Sequence, residues 1–306
     1  MSSEKLLMYE AATLYYDQKM TQQEIAGRMN LSRQTVSKLL NDAVRERIVE
    51  IQIHNPEEDR QALETQICKA FGISRCVVCS VSNEDAALRR LMTVKAAIQY
   101  LLPILRNGGL NIALSWGRTI QELIDSLPYT PTIGNTVFPL FGATDNEKSY
   151  FCSNELARKL ADKLGADIQR TWFPYMPDDA EDYKLLQQLS CYKKIQARWE
   201  KADIAILGIG STEILEIFEK TFGNSRTHTQ VVGDIATHFF DETGAFLNLY
   251  KNTLCASVSN IQKAKETIAV ACGNEKAKAI AGALRTKVID TLITDEYTAR
   301  EILECC

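Results

Sequence analysis

Apolar residues recur at helical spacing through the first fifty positions of the chain. The segment 4–19 carries them three and four residues apart, which predicts a first helix. A second, short helix is predicted to begin at Thr21, because Thr21 and Glu24 have the spacing of a capping box. After a break at residues 30–31, Ser32 is a good N-cap for a third helix. The side chains predicted to pack the second and third helices together are Ile25, Ala26, Val36, Leu39 and Leu40.

The following segment, 48–56, reads "IVEIQIHNP" and alternates between apolar and polar residues. Alternation of this kind predicts a strand. Pro56 and the acidic residues after it indicate a boundary. We therefore predict two domains, 1–54 and 55–306.

Beyond residue 56, predicted helices alternate with short apolar runs. Such runs indicate strands buried on both faces, and helices between them indicate a mostly parallel sheet. The larger domain is therefore predicted to be α/β and Rossmann-like. The predicted helices cover 57–71, 84–106, 118–127, 150–165 and 275–285. The predicted strands lie in "CVVCSV", "NIALSW", "TVFPLF", "DIAILGIG", "TIAVAC" and "VIDTLIT".

The second and third predicted helices form a pair joined by a tight turn, and the third begins with polar and basic residues. This arrangement is typical of a helix-turn-helix, whose second helix lies in the major groove of DNA. Arg33 and Gln34 can pair with base edges, and nearby hydroxyl and ammonium groups can reach bases or phosphates. The alternative is an ordinary helical hairpin with a solvated face. The candidate DNA-contacting residues are Arg28, Ser32, Arg33, Gln34, Thr35, Ser37 and Lys38.

A second candidate site lies in "NIALSWGRTI", where an apolar strand is followed by Ser115–Thr119 and then by a helix. Backbone N–H groups and the dipole at a helix start favour an anion, and Gly117 lets that backbone come close. Arg118 can add a guanidinium suited to phosphate. The pattern is compatible with a phosphate site, and the alternative is that Gly117 serves only the turn.

Composition narrows the possible functions further. The chain has 306 residues and a net charge of -4, so it is not coated in basic residues, and no apolar run is long enough to span a membrane. Its start, "MSSEKLLMYE", is too charged for a secretory signal peptide. Nine irregularly spaced cysteines indicate reduced thiols in the cytoplasm, and Cys76 and Cys79 are predicted to be inert core thiols. Three scattered histidines give little support for a metal site, and no cofactor is expected.

Six segments occur in an order that, over nearly the full length, resembles the SorC family of bacterial sugar-responsive transcriptional regulators. They are "YYDQKMTQQEIAGRMNLSRQTVSKLL", "ALSWGRT", "ADIAILGIG", "VVGDIATHFFDETG", "ACGNEKAKAIAGAL" and "LITDEYTAREIL". The resemblance implies a winged-helix-like DNA-binding domain joined to an effector domain similar to glucosamine-6-phosphate deaminase and ribose-5-phosphate isomerase. It also implies a phosphorylated sugar as ligand, double-stranded operator DNA as partner, and a homodimer or homotetramer.

The same resemblance implies an effector site built from four of these segments and from two others, "LFGAT" and "SNELARKLA". The "SWGRT" residues would lie near the phosphate, two glycines of "GIG" would form a backbone wall, and Asp234 would accept hydrogen bonds from sugar hydroxyls. Lys276 would meet a second anionic group, unless Asp234 and Lys276 only form an ion pair. The implied residues are Ser115, Gly117, Arg118, Thr119, Gly142, Asn154, Gly208, Gly210, Asp234 and Lys276.

The chain departs from the family pattern at two positions. Phe141 and Cys272 stand where relatives often have a second glycine, and they fill space that is open there. Phe141 also means that no lysine is available at that position to form an imine with an aldehyde sugar. These departures leave the identity of the carbohydrate open.

We expect a sequence-specific DNA-binding regulator without catalytic residues. One alternative is a sugar-phosphate isomerase or deaminase, in which Asp145, Glu147 or Asp234 would act as a base. Another is a DNA-binding regulator whose larger domain binds no ligand and serves only oligomerisation.

Overall fold

The computed structural model describes residues 3–49, 56–144, 149–212, 215 and 230–306. The chain divides into two compact units, Met1–Pro56 and Glu57–Cys306. The strand predicted over 48–56 falls mostly outside the described residues. That strand, the wing it would form and the domain boundary after residue 54 therefore stay predictions.

The N-terminal unit contains three α-helices, Ser3–Ala12, Gln22–Met29 and Arg33–Arg45, and this confirms the predicted helix-turn-helix. The first helix continues into one turn of π-helix, Thr13–Asp17. The helices enclose their own small core, so the unit buries apolar surface independently of the larger one. That core consists of Met8, Ala11, Ala12, Ile25, Ala26, Val36, Leu39, Leu40 and Ala43.

Side-chain caps set the ends of the two helices in this motif. Thr21 Oγ1 accepts a hydrogen bond from the Glu24 amide at 3.3 Å, and the Glu24 carboxylate accepts one from the Thr21 amide at 2.8 Å. The helix ends at Asn30, which has a left-handed φ of 55° that asparagine tolerates well. Ser32 Oγ then accepts from the Thr35 amide at 3.1 Å and starts the next helix. The predicted capping box and the Ser32 cap are both present.

A seven-stranded parallel sheet forms the centre of the larger unit. All six apolar runs contribute a strand, and a two-residue strand at the edge was not predicted. The strands of both sheets of this unit are numbered together in chain order. Those of the large sheet are β1 Arg75–Cys79, β2 Asn111–Leu114, β3 Thr136–Pro139, β4 Asp167–Ile168, β5 Ile204–Leu207, β10 Glu266–Val270 and β11 Thr291–Asp295.

The strand order across this sheet is β4-β3-β2-β5-β10-β11-β1. From β2 the chain moves outward through β3 and β4, then returns to place β5 on the other side of β2 and moves outward in the opposite direction. The order therefore reverses between β2 and β5. In open α/β sheets the crevice at the carboxyl ends of such a strand pair is the usual ligand site.

A second, antiparallel sheet has the order β6-β7-β8-β9 and follows directly from β5. The run "DIAILGIG" was predicted as one strand, but it divides at Gly208, with Ile204–Leu207 in the large sheet and Ile209–Ser211 in the small one. The small sheet was not predicted, because its strands of two or three residues are too short to show alternation. They are β6 Ile209–Ser211, β7 Gly233–Ile235, β8 His238–Phe240 and β9 Phe246–Leu247.

Helices accompany the large sheet, and each predicted helical stretch contains one. These are Pro56–Phe71, Ala86–Leu105, Arg118–Ser126, Ser153–Leu164 and Ala277–Arg285. Further helices that the sequence did not predict are Ala180–Gln188, Ser190–Trp199, Val258–Gln262 and Glu296–Glu304. Short 3-10 turns lie at Ser149–Phe151 and Asn274–Lys276.

The core of the larger unit lies on both faces of the parallel sheet, and every residue of β5 and β11 is buried. Cys76 and Cys79 in β1 are buried as predicted, and burial raises the pKa of both thiols, which keeps them protonated. No group of three or more histidine, cysteine or carboxylate side chains in the described part of the chain could hold a metal. No helix there is long and apolar enough to cross a membrane.

A buried ion pair joins the carboxyl end of β11 to three other segments. Arg89 Nε donates to Asp295 Oδ1 at 2.9 Å, and only 5% of Arg89 and 0% of Asp295 is exposed. Arg89 Nη2 donates to Asn274 Oδ1 at 2.8 Å and to Thr298 Oγ1 at 2.7 Å. Thr298 Oγ1 also accepts from the Gly273 amide at 2.8 Å. This network holds the turn Asn274–Lys276 against the sheet, and its donors and acceptors are well matched.

The capping box predicts a local effect on the N-terminal unit. Thr21→Ala removes the acceptor of the Glu24 amide and should destabilise the helix-turn-helix by about 1 kcal/mol. Amide hydrogen exchange of peptides from 21–45 should show faster exchange, with peptides of the larger unit unchanged. Gln23→Ala, an exposed change in the same helical turn, is the matched control. Equal protection in both variants would contradict the role of the cap.

The ion pair predicts a larger effect on the other unit. Arg89→Met leaves the Asp295 carboxylate buried without its cation and should cost about 3–5 kcal/mol of unfolding free energy. The double variant Arg89→Met/Asp295→Asn should recover part of this loss. A neutral amide oxygen can still accept from the amides of Tyr297 and Thr298. Urea denaturation followed by tryptophan fluorescence measures both, and a double variant less stable than the single one would refute the argument.

Candidate functional site

Two loops meet at the reversal point of the large sheet. One follows β2 and contains Ser115 and Trp116, and the other follows β5 and contains Gly208. The Ser115 amide donates to the Ile206 carbonyl at 3.0 Å, so the first loop begins in register with β5. A side chain at Gly208 would bring a Cβ within 3.3 Å of the Trp116 carbonyl. The two predicted segments "SWGRT" and "GIG" are therefore in direct contact.

The "SWGRT" loop turns at Gly117, whose φ of 124° is one that side-chain-bearing residues rarely adopt. Gly117 precedes the helix Arg118–Ser126, which has no side-chain cap and so leaves a start suited to an anion. The Gly117 amide itself donates to the Tyr150 carbonyl at 2.9 Å, so it is occupied. Ser115 is buried with its hydroxyl donating to the Trp116 carbonyl, and Arg118 is exposed. The hydrogen-bond donors that this loop can offer an anion are therefore the backbone amides of the helix start and the Arg118 guanidinium.

Lys276, in the turn Asn274–Lys276, lies close to the start of the helix Arg118–Ser126. Its ammonium donates to the Ile209 carbonyl at 3.1 Å, at the first residue of β6. Burial lowers the pKa of Lys276, and the neighbouring Arg118 lowers it further. The two cations are thus close enough to repel each other. A bound anion would relieve this repulsion.

Asp234 lies in β7 directly opposite Gly210 of β6, with 4% of its surface exposed. One carboxylate oxygen, Oδ2, accepts from the Thr237 amide at 2.9 Å. The other, Oδ1, is buried without a hydrogen-bond partner in the described part of the chain. Burial raises the pKa of Asp234 to about 6, although Lys276 opposes the shift. Asp234 and Lys276 interact through space, but Lys276 donates to the Ile209 carbonyl and forms no ion pair with Asp234 within the described residues.

Gly142 and Asn154 lie near each other, and both take part in packing. The Ser153 hydroxyl donates to the Gly142 carbonyl at 3.1 Å. A side chain at Gly142 would come within 2.6 Å of the Pro174 backbone, so this close approach requires glycine. The Asn154 amide nitrogen donates to the Thr171 carbonyl, and its oxygen accepts from the Thr171 amide. These contacts occupy the polar groups that were predicted to border a sugar.

Aromatic side chains fill the space beside the "SWGRT" loop. Phe141 is fully buried and stacks on Trp116 with ring centroids 4.2 Å apart. Tyr175 and Phe151 meet Trp116 edge-on at 5.6 and 5.5 Å. Cys272, the other departure from the family pattern, is also buried. The cluster supports the expectation that Phe141 occupies space next to the site.

The Arg89–Asp295 network was missed by sequence reasoning, although it positions the turn that carries Lys276. Its partners are 206 residues apart in the chain, so no local spacing reveals the pair. A weak signal did exist in "LITDE", because a carboxylate that directly ends a buried strand needs a partner.

The predicted DNA-contacting residues lie at the start of the helix Arg33–Arg45 and beside it. Arg33, Gln34, Thr35 and Lys38 are exposed, and Ser37 is half-buried. Ser32 is exposed too, but its hydroxyl caps this helix and contacts the Thr35 hydroxyl at 2.8 Å. Arg28 is exposed at the end of the preceding helix and contacts the side chains of Gln18 and Met20.

The raised pKa of Asp234 predicts a pH dependence with a definite sign. Between about pH 4 and pH 6 this carboxyl group is protonated in the folded state and ionised in the unfolded state. The folded state binds more protons there, so the stability that this group contributes is present at low pH and lost as pH rises. Asp234→Asn should therefore gain up to about 3 kcal/mol relative to the unsubstituted chain between pH 4 and pH 7.

Urea denaturation followed by tryptophan fluorescence measures this difference, because Trp116, Trp172 and Trp199 all lie in the larger unit. Asp241→Asn is the control, because the pH dependence of its stability difference should have the opposite sign. The Thr243 hydroxyl, by its hydrogen bond, lowers the pKa of half-buried Asp241, so Asp241→Asn should lose stability relative to the unsubstituted chain as pH rises. A difference for Asp234→Asn that does not change with pH would refute the prediction.

Comparison with known proteins agrees with this architecture. The family model described as "Putative sugar-binding domain" matches residues 55–304, and the model for "Sigma-70, region 4" matches residues 13–46. The sorbitol operon regulator of Klebsiella pneumoniae is 29% identical, with 97% of this chain and 98% of that protein covered. The deoxyribonucleoside regulator of Bacillus subtilis is 28% identical, with 97% of each chain covered.

The similarity extends to three-dimensional structure. The crystal structure of the full-length sorbitol operon regulator SorC from Klebsiella pneumoniae superposes with a TM-score of 0.73 and 28% identity. The match covers 99% of this chain and 100% of that one. Both relatives are named as regulators, and this chain contains a helix-turn-helix and matches the model of a sugar-binding domain. The chain belongs to the SorC family of sugar-responsive, DNA-binding transcriptional regulators.

Proposed function

We propose that a phosphorylated sugar bound in the larger unit controls binding of the N-terminal unit to operator DNA. The observation that carries this proposal is the convergence of Arg118, Lys276 and buried Asp234 at the reversal point of the sheet. Two cations beside a helix start suit a phosphate, and a carboxylate oxygen without a partner suits a sugar hydroxyl. In this proposal, Arg118 and Lys276 bind the phosphate end of the ligand, and the neighbouring Asp234 binds its sugar end.

The charge balance of the site favours an anionic ligand. Lys276 is half-buried beside Arg118, and burial raises the pKa of the nearby Asp234 carboxyl group to about 6. A phosphate would place negative charge beside these two cations, and charge-assisted hydrogen bonds of this kind are strong. Ser115, Gly117 and Thr119 would shape the loop around that phosphate, with Ser115 and Gly117 acting through backbone geometry.

The rest of the proposed pocket is a wall against which the sugar would lie. Gly208 and Gly210 provide backbone without side chains, and Gly142 and Asn154 hold the neighbouring loops together. Phe141 carries no amine, so we propose that the sugar binds without a covalent imine.

On the DNA side, we propose that the helix Arg33–Arg45 enters the major groove. Arg33, Gln34 and Lys38 would contact bases or phosphates, together with Thr35 and Ser37. Ser32 would serve mainly as the cap, and Arg28 would contact a phosphate. A symmetric homodimer or homotetramer would bind paired half-sites, so that a ligand could act by changing the spacing of two such helices.

We propose further that the chain acts in the cytoplasm, where its DNA partner lies, and that it is not an enzyme. Of the histidines, His54 and His228 lie outside the described residues, and so do the candidate bases Asp145 and Glu147. His238 is half-buried, desolvation lowers its pKa, and its Nε2 atom is hydrogen-bonded to the Ala256 carbonyl at 2.8 Å. Incubation with aldose and ketose phosphates should therefore give no turnover.

The decisive experiment measures operator binding by fluorescence anisotropy, with DNA selected from the genome by the full-length protein. At least one sugar phosphate should change the affinity for this DNA, while its unphosphorylated parent should not act through the phosphate site. Arg118→Ala should weaken the response to that sugar phosphate about tenfold or more, because it removes a charge-assisted contact.

Arg106→Ala is the matched control, since Arg106 is exposed at the opposite end of the sheet. Its response should equal that of the unsubstituted protein. DNA binding that no sugar phosphate alters would instead favour a larger unit that serves only oligomerisation. Equal responses of the two arginine variants would remove Arg118 from the site.

A further inference from the structure

A cavity of about 170 Å³ lies beside the small sheet, separate from the cluster at the reversal point. The cavity is partly open, and the β7–β8 turn, the strands β8 and β9 and the segment 248–253 line it. Its lining includes Tyr175, Thr237, His238, Phe246, Asn248 and Tyr250. Arg118, Asp234 and Lys276 do not line it. For scale, an apolar protein cavity of about 150 Å³ accommodates benzene, so this one can hold a ring of similar size.

The β7–β8 turn has an unusual backbone that points to a role for this cavity. Ala236 and Thr237 have φ values of 49° and 66°. A two-residue turn of this type suits glycine or asparagine, and a β-branched residue with positive φ is a genuine outlier. Strain of this kind persists where the surroundings enforce it, and it is concentrated at ligand sites. Here the Asp234 carboxylate holds the Thr237 amide in place.

The Thr237 hydroxyl is a buried polar group that lacks a hydrogen bond of normal geometry. Only 7% of Thr237 is exposed, and its Oγ1 atom has no partner of normal geometry in the part of the chain that the structure describes. Its hydrogen-bonding neighbours are the Tyr175 phenol and the Cys255 thiol, both outside normal hydrogen-bond geometry. A buried hydroxyl without a good hydrogen bond costs up to about 1–3 kcal/mol, so a ligand hydroxyl that pairs with Thr237 Oγ1 would recover part of that free energy.

The charges around the cavity restrict what it can bind. No lysine, arginine, aspartate or glutamate is among its described lining residues. Burial lowers the pKa of His238, so its ring is neutral near pH 7. Asp234 is the nearest charged group reached through a hydrogen bond, by way of the Thr237 amide. An anion placed here would lose part of its hydration without gaining a counter-charge, which disfavours a phosphorylated ligand.

We propose that this cavity binds a small neutral polyhydroxy compound, an unphosphorylated sugar or sugar alcohol. The aromatic faces of Tyr175, Phe246 and Tyr250 suit its C–H groups, and the Thr237 hydroxyl and the Asn248 amide suit its hydroxyls. Phe246 has 38% of its surface exposed, so the lining reaches the protein surface. The chain would then have two ligand sites with different charge requirements.

The two sites share one hydrogen-bonded link. Asp234 Oδ2 holds the Thr237 amide at the neutral cavity, and Asp234 Oδ1 is the acceptor proposed for the phosphorylated sugar. A neutral ligand that orders Thr237 would therefore change the affinity of the other site, and the reverse must hold by linkage. This coupling rests on the proposed function, whereas the neutral site itself does not.

Isothermal titration calorimetry of the full-length protein tests the neutral site. The probes are glucose, ribose, mannitol and glucitol, with their phosphates titrated in parallel. At least one neutral probe should bind with a dissociation constant of about 1 mM or below. Thr237→Val keeps the side-chain shape but removes the hydroxyl, so it should weaken binding of the neutral probe about two- to tenfold. Phe246→Ala, at a partly exposed position, should weaken binding of the neutral probe about tenfold.

Two controls separate this site from the other. Arg118→Ala should leave the binding of the neutral probe unchanged, and so should Thr65→Val, an exposed threonine outside the cavity. Loss of neutral binding in Arg118→Ala would mean that the probe occupies the phosphate site, and it would overturn the proposal. Absence of binding by all four neutral probes would overturn it too. The parallel phosphate titrations report separately on the proposed function.

Discussion

The larger unit depends on the contact between the carboxyl ends of β2 and β5, where the strand order reverses. Two loops leave the sheet there, and the Gly208 backbone approaches the Trp116 carbonyl too closely for a larger residue to fit comfortably. The helix Arg118–Ser126 and the small antiparallel sheet both start from this point. A change in this contact would therefore displace the cationic helix start and the strand opposite Asp234 together. The geometry of the candidate site is thus a property of the fold.

Two buried carboxylates show how differently one fold can treat the same group. Asp295 accepts from Arg89, from Thr298 and from two backbone amides, so its charge is fully compensated. Asp234 has one backbone donor and a more distant ammonium, and it keeps an oxygen without a partner. The compensated carboxylate supports the scaffold, since it fixes the turn that carries Lys276. The uncompensated one is a cost to stability of the kind found at sites of ligand binding.

Local patterns predicted most of the architecture, because helices and buried strands of four or more residues carry enough apolar positions to be recognised. The capping box at Thr21 and the Ser32 cap were readable for the same reason, since both lie within four residues. The strand β4 and the small sheet are too short for any periodicity. The Arg89–Asp295 pair and the Asp234–Thr237 contact depend on tertiary placement. The family resemblance named the candidate site residues, but only the structure reveals that the polar groups of Asn154 and Gly117 are already bonded.

Lys276 has a consequence for how ligand occupancy could be transmitted. An ammonium group has three N–H donors, and the bond to the Ile209 carbonyl uses one of them. A phosphate held by the remaining donors would be tied through a single side chain to the first residue of β6. Because β6 continues directly from β5, the bound ligand would link groups on both sides of the junction between the two sheets. This link would make the junction more rigid only while the ligand is bound, and it would need no movement of the Lys276 backbone.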